Sequence, residues 1–374
     1  MFLTQESFTF FDRLERLNWA VIGLVSLLSC IGFFLLYSAG GGDFSVWAQP
    51  QLLKFFLGFC LMILVACIDI KNIMKYAYTA YGFALVLLIL VHIFGMIGMG
   101  AQRWISFGVI RLQPSELMKI SLVMALACYY HRQSLEDVQS PGSMLVPLVL
   151  IFAPAVLVLK QPDLGTTILL VIIGLSMMFI AGVRLWYFIA AFGSIIISGP
   201  IAWGFLRDYQ KKRILTFLDP EQDPLGSGYH ILQSKIALGS GGMFGKGFLK
   251  GTQSHLNFLP EKQTDFIFTM FCEEFGLMGA ITLLGIYAFL IFQCLMICMR
   301  CRSCFARLMS FGITMSLFIY VFINMSMVIG LVPVVGVPLP FISYGGTSLL
   351  TLLIGFGLIL NADVHQELKI QRYE

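Results

Sequence analysis

Windows of about twenty apolar residues recur ten times along this chain, near 18–38, 48–68, 74–97, 114–131, 143–159, 163–181, 185–205, 267–299, 308–332 and 344–361. A run of that length lets a helix cross the roughly 30 Å hydrocarbon core of a bilayer at about 1.5 Å per residue. Lipid offers no water to satisfy free N–H and C=O groups, so each spanning segment must bond its backbone internally. The expected fold is therefore an all-α polytopic membrane protein with about ten transmembrane helices. Only 12% of the residues are charged and the mean hydropathy is +0.87, whereas soluble domains carry about 25% charge. Residues 1–374 read as one integral membrane domain, without an internal repeat, low-complexity tail or soluble module. The fifth and sixth windows are separated only by Lys160-Gln161-Pro162, and the proline should break a continuous helix. Two tilted spans and a helical hairpin both satisfy that pattern.

The long polar stretch 206–265 is rich in charge and glycine and lies between the seventh and eighth windows. Its side of the membrane follows from the short loops. With a cytoplasmic N-terminus, the inner segments carry Arg13, Arg16, Lys71, Lys75, Arg132, Arg184, Arg300, Arg302, Arg307, Lys369 and Arg372, whereas the short outer ones carry only Arg103, Arg111 and Lys160. The positive-inside rule then places both termini in the cytoplasm and 206–265 outside, since long loops translocate largely regardless of charge. The first apolar run exceeds a 7–15-residue signal-peptide core and reads as an uncleaved anchor. None of the nine cysteines lies in the outer loop, so its order should come from packing on the helices. Cys294, Cys298, Cys301 and Cys304 have metal-like spacing, but the first two sit inside an apolar span with no histidine nearby. They read as small apolar residues at a helix end.

Charges at bilayer depth are expensive, and Glu116, Lys119, Asp163, Glu273 and Glu274 must find partners or water. Glu116 and Lys119 follow Pro114, a residue suited to a first helical turn, and their spacing of three puts them on one helix face. A structural ion pair and a substrate contact are both consistent with that spacing. Lys160 and Asp163 flank an outer turn, where Asp163 can serve as a helix cap or touch substrate. In the long loop, Ile231–Leu238 suggests a short amphipathic helix, followed by the glycine-rich run 239–248. That run can present N–H groups and Lys246 to phosphate, or simply make tight turns. It is not a Walker A loop: the required first glycine is Ser240, and Gly247 stands where Ser or Thr is needed. Residues 330–348 are apolar but crowded with helix breakers, as expected of a partly re-entrant outer wall beside the long loop.

The motifs together resemble the SEDS family of bacterial shape, elongation, division and sporulation proteins. They are Arg103-Trp104-Ile105 with Gln113-Pro114-Ser115-Glu116, the run Lys160 to Thr166, the block Gly228 to Phe248, Leu259-Pro260-Glu261 with Thr264-Asp265-Phe266, and Pro338 to Gly346. The likeness covers essentially the whole chain and is closer to the rod-elongation branch than to the division branch. It implies a peptidoglycan glycosyltransferase of the bacterial cytoplasmic (inner) membrane, polymerising lipid II on the outer face beside a class B penicillin-binding protein. No nucleic-acid partner is expected. The family's essential aspartate maps onto Asp265.

Glycan extension needs a base to take the proton of the attacking hydroxyl and positive charge to stabilise the departing diphosphate. Asp265 suits the first role, although its position also suits a helix N-cap. Arg103, Lys119, Lys160, Arg213, Lys235 and Lys246 are candidates for the second, with Mg2+ or Mn2+ as a possible helper. Trp104, Glu116, Asp163, Glu261 and Ser343 complete the expected substrate-contacting set. The rivals are a lipid II flippase, which uses the same polar residues to carry a head group across, and a non-catalytic scaffold for the partner enzyme. Helix breaks cluster in the second half only, against the two-fold symmetry common in transporters.

Overall fold

A computed structural model describes residues 10–98, 101–107, 110–205, 211, 215–217, 219, 227–255 and 261–371. The elements in chain order are α1 (Phe10–Glu15), α2 (Trp19–Ala39), α3 (Ala48–Ala66), α4 (Ile70–Lys75), α5 (Ala77–Phe94), β1 (Met96–Gly98), β2 (Ala101–Phe107), β3 (Ile110–Leu112), α6 (Pro114–Arg132), α7 (Leu135–Val138), α8 (Leu145–Lys160), α9 (Leu164–Ala181) and α10 (Leu185–Phe205). Beyond the seventh window come α11 (Ser227–Ser240), α12 (Thr252–His255), α13 (Ile267–Arg300), α14 (Cys304–Ile329) and α15 (Gly346–Val364). Among the described residues, α2, α3, α5, α8 with its preceding turn, α9, α13, α14 and α15 are long and apolar enough to cross a membrane. The two remaining windows are occupied by α6 and α10, of 19 and 21 residues. Glu116, Lys119 and Arg132 make α6 more polar than its neighbours.

The ends of the chain's helices sort into two layers. At one layer, Ser38 hydrogen-bonds Glu274, Arg103 donates to the Pro162 carbonyl, and Tyr344 N donates to Gln263 O. At the other, Arg13 donates to Cys67 O, Asn361 to Ile68 O, and Arg302 N to Gln366 O. The middle of the bundle belongs to α14 and α15, whose apolar windows are 72% and 78% buried against 28–44% for the other six apolar helices, together with α6, most of whose residues are buried. Small residues set the closest approach: Gly58 of α3 lies against Leu350 and Leu353 of α15, and Gly357 of α15 against Met62 and Val65 of α3. The matching sequence order shows that α3 and α15 run parallel.

Three local features depart from the apolar pattern. The stretch 96–112 forms a small antiparallel sheet of order β1-β2-β3, with Met96 opposite Trp104 and Ile105 opposite Leu112. Two of its strands have three residues each, and Ala101–Phe107 does not alternate apolar with polar, so periodicity does not mark it. Lys160-Gln161-Pro162 does separate two helices, α8 and α9, which pack side by side. Finally, α13 is broken at Gly276, where φ is 65° and ψ −164°, a region essentially restricted to glycine.

Candidate active site

Asp265 lies in the turn 261–266, immediately before α13 begins at Ile267. The N-cap position is Phe266, whose side chain makes no capping bond, so Asp265 stands one residue outside the helix. The turn is tied instead to the breaker-rich segment 331–345. Ser343 Oγ donates to Thr264 O at 2.6 Å, Tyr344 N to Gln263 O at 2.8 Å, and Asn324 Nδ2 to both Asp265 O at 2.9 Å and Val337 O at 2.7 Å. Leu339 N donates to Ser343 Oγ at 2.7 Å and Tyr287 Oη to Pro340 O at 2.5 Å, so the extended segment has side-chain partners in place of helix bonds. The predicted wall beside the long loop is therefore present. Asp265 itself is half-buried, and its Oδ2 lies 3.4 Å from where a Cβ would stand on Gly336. Lys262, three residues earlier, is half-buried too, and that burial holds its ammonium below the ordinary lysine pKa.

The glycine-rich loop does something the sequence left open. At the break in α13 the carbonyls of Glu273 and Glu274 accept from Lys246 N and Gly247 N at 3.0 Å each. On the other side of the break, Leu277 N and Met278 N donate to Gly242 O at 2.9 Å and Met243 O at 3.1 Å. The loop thus gives partners to four of the backbone groups that interruption of the helix leaves unpaired. Backbone packs on backbone here, and a Cβ on Gly241, Gly245 or Gly276 would run into main-chain atoms. The N–H groups of Lys246 and Gly247, which the glycine pattern offered to phosphate, are thereby occupied. The Lys246 ammonium meets Glu273 Oε1 at 2.8 Å, and that fully buried carboxylate also accepts from Thr252 Oγ1 and Gln253 N.

The other predicted residues divide clearly. Glu116 and Lys119 form a buried pair at 2.7 Å, joined by Tyr320 Oη at 3.2 Å and Thr351 Oγ1 at 3.3 Å, with the ammonium 4.2 Å from the Tyr320 ring. They bridge α6, α14 and α15 in the interior. Asp163 is the N-cap of α9, accepting from Thr166 N and Thr166 Oγ1, with Arg103 Nε 3.8 Å away. The β2 strand thus serves to bring Arg103 onto the α8–α9 turn, with Trp104 half-buried next to it. Lys160 and Lys235 have exposed side chains, and Arg213 lies outside the described residues. Glu261 takes a positive φ of 54° and its carbonyl accepts from Thr264 N, closing the turn that carries Asp265. Asn324 was not singled out from the sequence. Its available signal was a lone amide within an apolar span, a position where polar side chains usually have a partner.

A family model described as "Cell cycle protein", covering FtsW, RodA and SpoVE, matches residues 15–368. The chain belongs to this FtsW/RodA/SpoVE family. It is 42% identical over 364 residues to "Peptidoglycan glycosyltransferase MrdB" of Escherichia coli K12, covering 96% of both chains. Among solved structures it is similar to a chain of a peptidoglycan synthase complex that coordinates polymerization and crosslinking, with TM-score 0.82, 29% identity and coverage of 94% and 98%. It is also similar to the rod shape determining protein RodA of Thermus thermophilus, with TM-score 0.71, 26% identity and coverage of 94% and 97%. Family membership thus agrees with the motif likeness and with a multi-helix membrane architecture. Among the described residues no three His, Cys, Asp or Glu side chains gather as a metal cage. The four cysteines near the end of α13 form no disulfide, Cys294, Cys298 and Cys301 being buried and Cys304 partly so.

Proposed function

We propose that Asp265 is the general base with which this chain extends glycan strands from lipid II at the outer face of the bacterial cytoplasmic membrane. The chain is a peptidoglycan glycosyltransferase of cell-wall elongation, on the strength of 42% identity spanning nearly all of an enzyme of that name. In the proposed step a sugar hydroxyl attacks the anomeric carbon of the lipid-linked donor, the C–O bond to the diphosphate breaks, and the configuration inverts. The hydroxyl proton passes to an Asp265 carboxylate oxygen, and the diphosphate carries away the bonding pair. The observation that carries this reading is the fixation of 263–265 by Asn324, Ser343 and Tyr344. A base works only when it is held within hydrogen-bond reach of its proton, and three bonds to one wall fix this backbone.

Lys262 stands on the same turn, while Lys160 and Lys235 expose their side chains. A divalent cation would take oxygens from Asp265 and the substrate phosphates rather than from a protein cage. Both termini are assigned to the cytoplasm, α6 and α10 to the ninth and tenth crossings, and a class B penicillin-binding protein to the partner role. Resemblance to a synthase that couples polymerization to crosslinking supports the last of these.

The test uses purified protein with labelled lipid II. Wild type should form glycan polymer, and Asp265→Asn should lose at least about a hundredfold of the rate, the usual scale for removing a general base, while inserting and melting normally. A fully active Asn variant rejects the base assignment. Transfer of lipid II across liposomes without polymer would instead identify a flippase.

A further inference from the structure

Lys54 is the sole charged residue of α3, and it stands six positions after Ala48, about 9 Å along the axis from the outer end at 1.5 Å per residue. An ammonium at that depth is costly and calls for a partner. Three buried or half-buried cations at this end have carboxylates: Lys119 has Glu116, Lys246 has Glu273 and Arg103 has Asp163. Lys54 has none among the described residues. Its Nζ instead donates to a phenol oxygen, Tyr344 Oη at 3.0 Å, and lies 4.3 Å from the centre of the same ring. A hydroxyl and a ring face offset only part of the desolvation of an ammonium, so positive charge remains uncompensated.

The surroundings keep that charge in place. Trp47 packs edge-on against the Tyr344 ring with centroids 4.9 Å apart. Gln51 clamps the residues on either side of Tyr344, its Nε2 donating to Ser343 O at 3.1 Å and its Oε1 accepting from Gly345 N at 3.2 Å. The lysine stem lies along Gly346, where a Cβ would sit 3.7 Å from Nζ, and the next residue, Thr347, buries a hydroxyl with no hydrogen-bond partner among the described residues. Through Tyr344 N and Ser343 Oγ the same strip of chain holds Gln263 and Thr264, the two residues before Asp265.

We propose that Lys54 and Tyr344 form the point at which a phosphate of the polyprenyl diphosphate substrate is bound, on the α3 side of the Asp265 turn. This rests on the reading of Asp265 as the base of a lipid-diphosphate glycosyltransferase. The ammonium supplies the charge, the phenol hydroxyl a second donor, and Trp47 with the apolar face of α3 a surface for the prenyl chain. Lys54 acts as a binding residue and takes no proton from the acceptor.

The experiment measures binding of undecaprenyl diphosphate to the full chain in phosphatidylcholine nanodiscs, where no turnover is needed. Lys54→Gln and Lys54→Met should each weaken binding by about tenfold, the scale of one charge-assisted hydrogen bond. Lys54→Arg should restore most of it, Tyr344→Phe should weaken it by less, and Lys75→Gln at the opposite end should leave it unchanged. Melting temperatures and gel-filtration profiles identify any variant that has lost its fold. Wild-type affinity in both folded charge-removing variants overturns the proposal. So does equal competition by phosphatidylglycerol, which would make Lys54 a general phospholipid contact. Failure of the polymerase reading looks different: wild type would bind the diphosphate through Lys54 yet form no glycan from lipid II.

Discussion

The buried Glu116–Lys119 pair decides between structure and substrate contact, and its energetics make the decision measurable. Both side chains are nearly inaccessible, at 6% and 4% exposure. Glu116 is additionally bonded to hydroxyls on α14 and α15. Removing one member of such a pair strands a charge in a low-dielectric interior, at about 3–5 kcal/mol. Lys119→Met should cost that much, since Glu116 keeps only the Tyr320 and Thr351 hydroxyls, each worth about 1 kcal/mol. Glu116→Gln preserves those two contacts but strands the ammonium over the Tyr320 ring, and a similar loss is expected. The double variant Glu116→Gln with Lys119→Met removes both charges, and replacing a whole buried pair is often close to neutral. It should therefore lie within about 2 kcal/mol of wild type, giving a coupling energy well above the few tenths seen for independent sites. Thermal or denaturant unfolding in detergent provides the comparison, with lipid II polymerisation assayed on the same preparations. A double variant whose loss equals the sum of the singles refutes the ion-pair reasoning. A stable double variant that still polymerises makes the pair structural, and a stable but inactive one moves it into the substrate site.

Gly276→Ala must place a Cβ against the Gly245 and Met243 backbones at a φ of 65°, so a loss of at least about 1–3 kcal/mol from backbone strain alone is expected. Unchanged melting would show that the helix break is not needed. Lys246→Met should loosen 241–255, read as faster amide exchange, and Glu273→Gln should partly reverse it by removing the stranded carboxylate. If the double variant regains protection but makes no polymer, Lys246 serves the substrate after all. Asn324→Ala should free the Asp265 and Val337 carbonyls and lower polymerisation by about ten- to a hundredfold, as expected when a base loses its positioning. Full activity would show that other contacts suffice to hold the turn.

Helix placement was legible because crossing a bilayer demands a long apolar run, and that demand is local. The ten windows coincide with α2, α3, α5, α6, α8, α9, α10, α13, α14 and α15 to within a few residues. Asp265 stands out as a candidate from its position at the boundary between polar loop and apolar span, together with the surrounding motif. The break at Gly276 was not visible, because glycine is common in membrane helices and nothing nearby distinguishes this one from Gly279 or Gly285. Lys54 and Asn324 were not visible either, since each is an isolated cation or amide in a largely apolar helix and its partner lies on another element, with Tyr344 290 residues from Lys54.

Hydrophobicity summed along one segment therefore determined which segments are built to enter the membrane. Pairing was decided elsewhere, by which carboxylate reaches which ammonium and which N–H reaches an interrupted helix. Each such bond needs its donor within about 3 Å of its acceptor, a distance set by how helices far apart in the chain pack together. Lys246 could have turned its ammonium to solvent or to Glu273, and Asn324 could have met any of several neighbouring carbonyls. Only the packed bundle chose, because one-dimensional order carries no information about contacts at that range.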